Sequence, residues 1–137
     1  MAKIKTRKQW KKKCDDLWGK IVRSVGHCEV CGRPSGKLEA HHLITKGSSV
    51  RYRHDINNGI CLCVRCHKFG GTVVDGVRVC AHGSGSVELS NNFVKWMEKH
   101  RPATFEWYQE HKEDKRHYES DYEAIYETLK ELDTPKF

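Results

Sequence analysis

The residues best suited to chemistry are cysteines and histidines gathered in residues 28–67. Four of the cysteines form two Cys-x-x-Cys pairs, namely Cys28, Cys31, Cys63 and Cys66. Two such pairs can bring four thiolates together in the closed tetrahedral geometry of a structural zinc ion. A closed site has no place for another ligand. The histidines of the same stretch therefore indicate a second site, and they are His41, His42, His54 and His67.

Composition favours metal over disulfides as the role of the paired cysteines. The 137 residues are 37% hydrophobic and 31% charged, so the core of a single domain would be small. Such a core needs an additional link, either a bound metal or disulfides, to stabilise it. The N-terminal sequence resembles neither a signal peptide nor a membrane span. We therefore expect a cytoplasmic chain with reduced thiols and no membrane partner. Among the remaining cysteines, Cys14 and Cys61 are expected to be ordinary buried side chains.

The net charge of +7 is unevenly distributed along the chain. Residues 1–23 carry nine Lys or Arg and two Asp, whereas residues 101–137 carry six Lys or Arg and ten Asp or Glu. A polyanion such as DNA would be attracted to the basic end and to the centre, which is also basic. The alternative is a well-solvated surface without a partner.

A helix that offers a basic surface is predicted for residues 8–25. Its apolar positions recur every three or four residues, at Trp10, Cys14, Leu17, Ile21 and Val25. Basic side chains, including Lys11 and Lys12, fall largely on its other faces. Gly26 is expected to follow as the C-cap.

The central stretch predicts a strand hairpin with a long connection. A zinc knuckle at residues 28–32 precedes a strand at 37–44, and a second strand is expected at 60–63. The loop between them opens at Gly47 and ends with a turn signal at residues 57–59. Long loops of this kind are often functional. A short helix beginning near Cys66 and a small hairpin over residues 72–79 should follow.

Three helices are predicted after the central stretch. Ser90 is expected to N-cap the first, which Pro102 ends, and the second should start near Thr104. The third has capping-box spacing at Ser120 and Glu123. Its apolar stripe consists of Tyr118, Tyr122, Ile125, Leu129 and Leu132. We expect this stripe to pack within the chain, and a homodimer through these helices is the alternative.

The central motifs carry a resemblance to a known family. The segment Leu38-Glu39-Ala40-His41-His42-Leu43, followed by Asn58-Gly59-Ile60-Cys61-Leu62-Cys63-x-x-Cys66-His67, resembles zinc-containing HNH endonucleases of the ββα-metal type. It is similar to the small nicking and recombination nucleases of phages. The resemblance covers about residues 28–67, or extends to 82, and the flanking helices lie outside it. The expected fold class is α+β, and the chain length fits a single domain of residues 1–137. A zinc-stapled ββα-metal core at 27–82 would be flanked by a basic helix at 1–26 and by C-terminal helices at 88–137.

The resemblance also implies a role for each matched residue. His42 would be the general base, and His41 and His67 would hold a catalytic divalent cation. Asn58 would be the middle residue of the motif, fixing the loop that aims His42. The four paired cysteines would hold structural zinc.

One departure from the family pattern concerns the ligands of the catalytic cation. Some members carry another histidine four residues after the last one, and here that position is Gly71. His82 is a candidate for the missing ligand or for a phosphate contact, with an ordinary surface histidine as the alternative. His54, next to Asp55, has the same ambiguity.

The activity implied by the resemblance is metal-assisted hydrolysis of DNA phosphodiester bonds, with Mg²⁺ or Mn²⁺ as the cation. It would nick one strand per event and leave a 5′ phosphate and a 3′ hydroxyl. A phage gene expressed in a bacterial host is the implied source. Phosphate contacts, which make binding salt-sensitive, are expected from seven basic residues. These are Lys11, Lys12, Lys46, Arg51, Arg53, Arg65 and Lys68.

Two other function classes are compatible with part of the sequence. A non-catalytic, zinc-stabilised DNA-binding module needs only the paired cysteines and the basic helix. A structural zinc protein acting through its C-terminal helices is the third interpretation. A pure binding module has no evident need for His41, His42, Asn58 and His67 together, so the sequence favours the endonuclease.

Overall fold

The computed structural model describes residues 4–34, 37–46, 50–114, 116 and 118–133. Its helices are α1 (Arg7–Arg23), α2 (Val64–His67), α3 (Val87–His100), α4 (Pro102–His111) and α5 (Tyr122–Asp133). Its strands are β1 (Leu38–His42), β2 (Gly59–Cys63), β3 (Thr72–Val74) and β4 (Val77–Val79). Short 3-10 helices occupy Ile56–Asn58 and Gly83–Gly85. The predicted α+β fold class is confirmed. The predicted opening of the long loop at Gly47 lies outside the described residues.

The β1–β2 hairpin is the central layer of the fold. The strands pair antiparallel, with Leu38 opposite Cys63 at one end and His42 opposite Gly59 at the other. Because side chains alternate between the faces of a strand, Ile60 points into one hydrophobic cluster and Cys61 into another. The hairpin therefore separates two small cores and spans the distance between the paired cysteines and the histidines.

Each core joins the hairpin to different helices. The core on one side of the hairpin lies against α3 and β4. Its buried residues are Cys28, Ile60, Leu62, Cys63, Cys66, Val79, Phe93, Trp96 and Met97. The core on the other side of the hairpin lies against α1 and α5. Its buried residues are Cys14, Trp18, Val22, Cys61, Tyr122 and Leu129. The predicted packing of the last helix within the chain is confirmed for Tyr122 and Leu129. No described helix is long and apolar enough to cross a membrane.

The first helix differs from its prediction at both ends. Thr6 and Gln9 form a reciprocal capping box before Arg7–Arg23, a signal that the sequence contains and the prediction missed. Ser24 is the C-cap, so Gly26 follows the helix end instead of capping it. Gly26 has a φ of 82°, which suits glycine in the turn that leads to the first zinc cysteine.

The predicted starts of the next two helices are wrong by four and two residues. The helix Val87–His100 is N-capped by Ser86, and Ser90 lies inside its first turn with Oγ donating to the Val87 carbonyl. The next helix begins at Pro102, because proline needs no amide partner in the first turn.

The last helix is capped by a different residue from the one predicted. The carboxylate of Asp121 accepts a hydrogen bond from the Ala124 amide at 3.1 Å. Ser120 Oγ is buried and has no hydrogen bond within the described part of the chain. The predicted capping box of Ser120 and Glu123 is therefore wrong, because the adjacent aspartate takes the capping position.

The β3–β4 hairpin returns the chain to the centre of the molecule. Asp75 and Gly76 have φ values of 54° and 77°, as a type I′ turn requires, and the predicted hairpin is confirmed. After β4, the His82 amide donates to the His67 carbonyl at 2.9 Å. This return places His82 beside α2.

Candidate metal centre and active site

The four paired cysteines converge as predicted. The sulfur atoms of Cys28, Cys31, Cys63 and Cys66 all lie within 4.8 Å of one another. The first two lie on the turn after α1, and the others lie at the end of β2 and in α2. Four thiols at this spacing, supplied by two tight turns, fit a closed tetrahedral zinc site.

The electrostatics of the cluster favour a thiolate at Cys28. A hydrogen bond from the Cys66 thiol lowers the pKa of Cys28 against the opposing effect of burial. Backbone amides of Val30, Cys31 and Cys63 also donate to this sulfur. Because zinc binds the thiolate form, the turn stabilises the state that the metal requires.

The cysteines outside this cluster are structural. Burial raises the pKa of Cys14 and of Cys61 to about 11, so both remain protonated at neutral pH. The Cys14 thiol donates to the Tyr122 carbonyl at 3.1 Å. The expectation that these two side chains are ordinary buried cysteines is confirmed.

Three histidines form a second cluster. One ring nitrogen from each of His41, His67 and His82 lies within 4.8 Å of those from the other two. Nε2 of His67 and Nε2 of His82 are 3.0 Å apart. His82, for which the sequence left three roles open, therefore joins the two histidines predicted to hold a cation.

The structure also explains why no histidine stands at position 71. Gly71 has a φ of 73°, and a Cβ atom there would lie 2.1 Å from the backbone oxygen of Val79. A side chain at this position would collide with β4. The segment that fills this space is the end of β4, and His82 follows it and joins the cluster.

Glu39 fixes the orientation of His67. Nδ1 of His67 and Oε1 of Glu39 are 2.8 Å apart, and a carboxylate can only accept, so Nδ1 carries the proton. Nε2, which faces His82, is then the ring nitrogen of His67 left to bind a cation. The prediction missed Glu39, although strand alternation places it on the same face of β1 as His41.

The cluster suits a cation chemically. Burial lowers the pKa of His41 well below its usual value and also lowers the pKa of His82, and the charge of His67 acts in the same direction. The neutral imidazoles that result are the form that binds metal. Nδ1 of His41 is buried and has no hydrogen bond among the described residues. A bound ion would satisfy such a nitrogen.

His42 faces away from the three-histidine cluster, as strand alternation predicts. Its ring stacks on the indole of Trp18, with centroids 3.9 Å apart and planes inclined by 11°. Nε2 lies 2.9 Å from the Arg53 carbonyl, which can only accept, so Nε2 carries the proton and Nδ1 has the lone pair. Burial lowers the pKa of His42 and favours this neutral form.

Asn58 closes the loop that carries the Arg53 carbonyl. Its side chain is fully buried. Oδ1 accepts from the Ile44 amide at 2.6 Å, and Nδ2 donates to the carbonyls of Ile44 at 2.9 Å and Tyr52 at 3.0 Å. These bonds join the two ends of the loop and hold the segment next to Arg53. This geometry suits the loop-fixing role that the resemblance implies.

Arg53 and His54 have partners that the sequence did not indicate. The Arg53 guanidinium makes two bonds to Asp15, at 2.8 and 2.9 Å, and its side chain is only 15% exposed. His54 is buried, and its Nε2 lies 2.6 Å from the same carboxylate. The prediction that Arg53 contacts DNA is therefore corrected, because an internal ion pair occupies its guanidinium. His54 lies outside the histidine cluster.

Asp15 is expected to make stability depend on acid pH. Burial raises the pKa of Asp15, but the hydrogen bonds from His54 and Arg53 outweigh it and hold the pKa well below the usual value. The carboxylate therefore stabilises the fold above about pH 4 and loses this effect as the pH falls further. We expect Asp15→Asn to lower the free energy of unfolding by about 1 to 3 kcal/mol at pH 7. Urea unfolding at several pH values should show the difference from the native chain shrinking below pH 4. A constant difference would contradict it.

Two predicted DNA contacts line the cleft that contains the histidines. This cleft has a volume of about 310 Å³, and its lining residues are Ala40, His41, His42, Thr45, Lys46, His67, Lys68 and His82. Lys46 and Lys68 are exposed at its edge. Both are placed to meet a phosphate near the histidines.

The other predicted contacts lie elsewhere on the surface. Arg65 lines a separate cleft beside the zinc cysteines, together with Arg33 and Arg78. Arg51 lies over the ring of Tyr118, with 5.3 Å to its centroid. On α1, Lys11 is half-buried and Lys12 is exposed and paired with Asp16. DNA contacts by these residues stay predictions.

The described centre defines a class of protein. A hairpin carries adjacent histidines, an asparagine closes its loop, and a short helix ends in another histidine beside four clustered cysteines. The model of the HNH endonuclease family matches residues 28–69, which contain all of these features.

The chain is also similar to a curated protein. The protein YisB of Bacillus subtilis (strain 168), described as uncharacterized, is 30% identical over 83 residues, covering 57% of this chain and 79% of YisB. The chain belongs to the HNH endonuclease family. Its membership indicates a nuclease or DNA-binding function. No solved structure matches it. The narrower similarity to phage enzymes stays a prediction.

Proposed function

We propose that this protein is a metal-dependent endonuclease that hydrolyses DNA phosphodiester bonds. One observation carries the proposal: the adjacent residues His41 and His42 line one cleft but have different environments. His41 lies in a cluster of three histidines, whereas His42 has its Nε2 proton engaged and a lone pair at Nδ1. This arrangement separates a cation site from a general base, as the hydrolysis requires.

The protein groups have distinct proposed roles. His42 Nδ1 accepts the proton of the water that attacks phosphorus, and the ring is neutral for this task at physiological pH. His41, His67 and His82 hold the divalent cation. When bound, this cation supplies Lewis-acid stabilisation of the leaving oxygen. Asn58 holds the loop whose carbonyl aims His42. The products that we propose are a 5′ phosphate and a 3′ hydroxyl, with one strand nicked per event.

The donor set favours Mn²⁺ over Mg²⁺ as the catalytic cation. Mg²⁺ prefers oxygen ligands and retains several waters. Mn²⁺ also binds oxygen, but as a first-row transition ion it accepts imidazole more readily than Mg²⁺ does, although less tightly than Fe²⁺, Ni²⁺ or Zn²⁺. All three protein ligands of the proposed site are imidazoles. We therefore propose Mn²⁺ at the histidines and zinc at the four cysteines.

Plasmid cleavage tests this proposal directly. Purified protein with bound zinc is incubated with supercoiled plasmid and Mn²⁺, Mg²⁺ or no added metal. We expect nicked circles to appear before linear DNA, fastest with Mn²⁺. Firm DNA binding without cleavage under all three conditions would contradict the endonuclease and support the non-catalytic binding module.

A substitution at Glu39 tests the cation site. Glu39→Gln removes the carboxylate that fixes the proton of His67 at Nδ1. Second-shell changes of this type typically cost about 10- to 100-fold in metal affinity or activity. We expect the Mn²⁺ concentration for half-maximal cleavage to rise within this range.

The matched control is Glu88→Gln, because Glu88 is an exposed carboxylate in the first turn of α3. It should leave the Mn²⁺ requirement unchanged. Zinc content should be native in both variants. An unchanged Mn²⁺ requirement in Glu39→Gln would show that the Glu39 contact does not support a cation site.

The proposed substrate also explains the basic residues of the cleft. Lys46 and Lys68 would neutralise phosphates next to the bond that is cut, which makes binding weaker at high salt. The bacterial cytoplasm is the proposed place of action, because a site of four zinc-bound thiolates needs a compartment that keeps cysteines reduced. A phage origin and dimerisation through the C-terminal helices stay predictions of the sequence.

A further inference from the structure

We propose that α1, which lies outside the residues matched by the family model, positions the proposed general base. Trp18 holds the face of the His42 ring, and Asp15 holds the loop residue whose carbonyl receives the His42 proton. Both are positioning residues that do not touch the substrate. This inference rests on the proposed function of His42 and adds to it two residues outside residues 28–69.

The contact of Trp18 with His42 is direct. The rings are nearly parallel, with centroids 3.9 Å apart. Trp18 is itself fixed, because it is only 2% exposed and its Nε1 donates to the Asp55 carbonyl at 2.9 Å. One indole therefore contacts the base and also the loop that carries the hydrogen-bond acceptor of the base.

The position of α1 on the hairpin is set by Gly59, which pairs with His42. A Cβ atom at Gly59 would lie 2.5 Å from Val22 Cγ2 and 2.9 Å from Trp18 Cζ2. The helix therefore approaches the strand backbone closely beside the base. This approach brings the indole within stacking distance of the imidazole.

Asp15 acts on the second contact that orients the His42 ring, which is the hydrogen bond from Nε2 to the Arg53 carbonyl. Its carboxylate makes two bonds to the Arg53 guanidinium, and the backbone carbonyl of Arg53 lies 2.9 Å from His42 Nε2. Asn58 holds the preceding residue, Tyr52, by its carbonyl. The acceptor of the His42 proton is thus held from α1 on one side and from Asn58 on the other.

These contacts should affect the chemical step more than DNA binding. The efficiency of a general base depends on its orientation, and a displacement of about 1 Å can cost about 100-fold in rate. Neither Trp18 nor Asp15 lines the cleft of the histidines. Their loss should lower the rate of cleavage at saturating protein and leave DNA affinity close to native.

Single-turnover cleavage with Mn²⁺ separates these effects. We expect Trp18→Leu to lower the rate constant by about 10- to 100-fold, while Trp18→Phe, which keeps an aromatic face, retains most of it. Asp15→Asn is a second variant, in which the indole remains in place, and we expect a smaller loss of about 10-fold. Asp16→Asn is the matched control, because Asp16 is exposed on the same helix and pairs with Lys12.

Nuclear magnetic resonance of the His42 ring supplies a readout independent of activity. With ¹⁵N-labelled histidine, the native chain should show the tautomer protonated at Nε2, with its ring protons shifted upfield by the indole. Trp18→Leu should lose the upfield shift, and Asp15→Asn should broaden the Nε2–H signal. Asp16→Asn should match the native spectrum. Zinc content and thermal unfolding check that each variant is folded.

The outcomes distinguish this inference from the proposed function. Loss of rate and of the His42 signals, with DNA affinity and zinc content native, would support the inference. Native rates and native His42 signals in folded Trp18→Leu and Asp15→Asn would overturn it, even if the native chain cuts DNA. Equal losses of rate and DNA affinity would also overturn it by indicating a general structural role. If the native chain does not cut DNA but the His42 signals change as expected, the positioning contacts stand and the endonuclease proposal fails.

Discussion

Replacing His42 with alanine is expected to abolish DNA cleavage and to leave zinc content and DNA binding near native. A positioned general base contributes about 10²- to 10⁴-fold to a rate, and no other described imidazole stacks on Trp18 in its place. Because His42 lies on the face of β1 away from the three-histidine cluster, its removal leaves the proposed cation ligands intact. Single-turnover cleavage of plasmid with Mn²⁺ measures the loss.

A matched histidine and a chemical rescue make this experiment specific. His100→Ala is the control, because His100 lies on α3, bonded to Asp75, and does not line the cleft. It should cleave at the native rate. Added imidazole should restore part of the activity of His42→Ala, since it can occupy the space beside Trp18 and accept the proton. Undiminished cleavage by a clean preparation of His42→Ala would eliminate His42 as the base.

Much of the central geometry could be predicted because it depends on short-range spacing. Two Cys-x-x-Cys pairs place thiols on tight turns, and a turn signal before Gly59 sets the second strand of a hairpin. Alternation along β1 then sends His41 and His42 to opposite faces. Each cysteine pair and each strand can be assigned from neighbouring residues, and the structure agrees with these assignments.

The third histidine could not be assigned from spacing, because its approach depends on a long-range return of the chain. His82 reaches His67 only after the β3–β4 hairpin turns at Gly76 and the strand passes over Gly71. The sequence offered His82 as one candidate for the ligand missing at position 71, but a phosphate contact and an ordinary surface histidine remained as alternatives. A ligand contributed by another element is visible only once the hairpins are packed.

Charge gave the least reliable predictions, because a charged residue in the sequence does not reveal its partner. Arg53 lies in the long loop and was predicted to contact DNA, yet it pairs with Asp15, 38 residues earlier. The sequence placed Asp15 on α1 but did not show that α1 packs at the base of this loop. Conversely, Lys46 and Lys68 lie in the cleft without any distinguishing local pattern.

Cys66→Ser is expected to have the largest effect on stability. Structural zinc in small domains contributes on the order of 10 kcal/mol or more, and entire domains are stable by only about 5 to 15 kcal/mol. Cys66 is fully buried, and its sulfur lies with those of the other three cysteines. Loss of one thiolate should therefore remove zinc and unfold the centre instead of merely lowering activity. Zinc analysis and circular dichroism of the purified variant measure both effects.

Cys61→Ala separates the metal from burial as the cause. Cys61 is also fully buried and lies on β2, but it faces the core formed with α1 and α5. Its replacement leaves only a small cavity and should cost about 1 kcal/mol, with zinc retained. Since both cysteines are equally buried, a collapse confined to Cys66→Ser must come from the lost zinc ligand. A folded Cys66→Ser with native zinc content would refute the four-cysteine site.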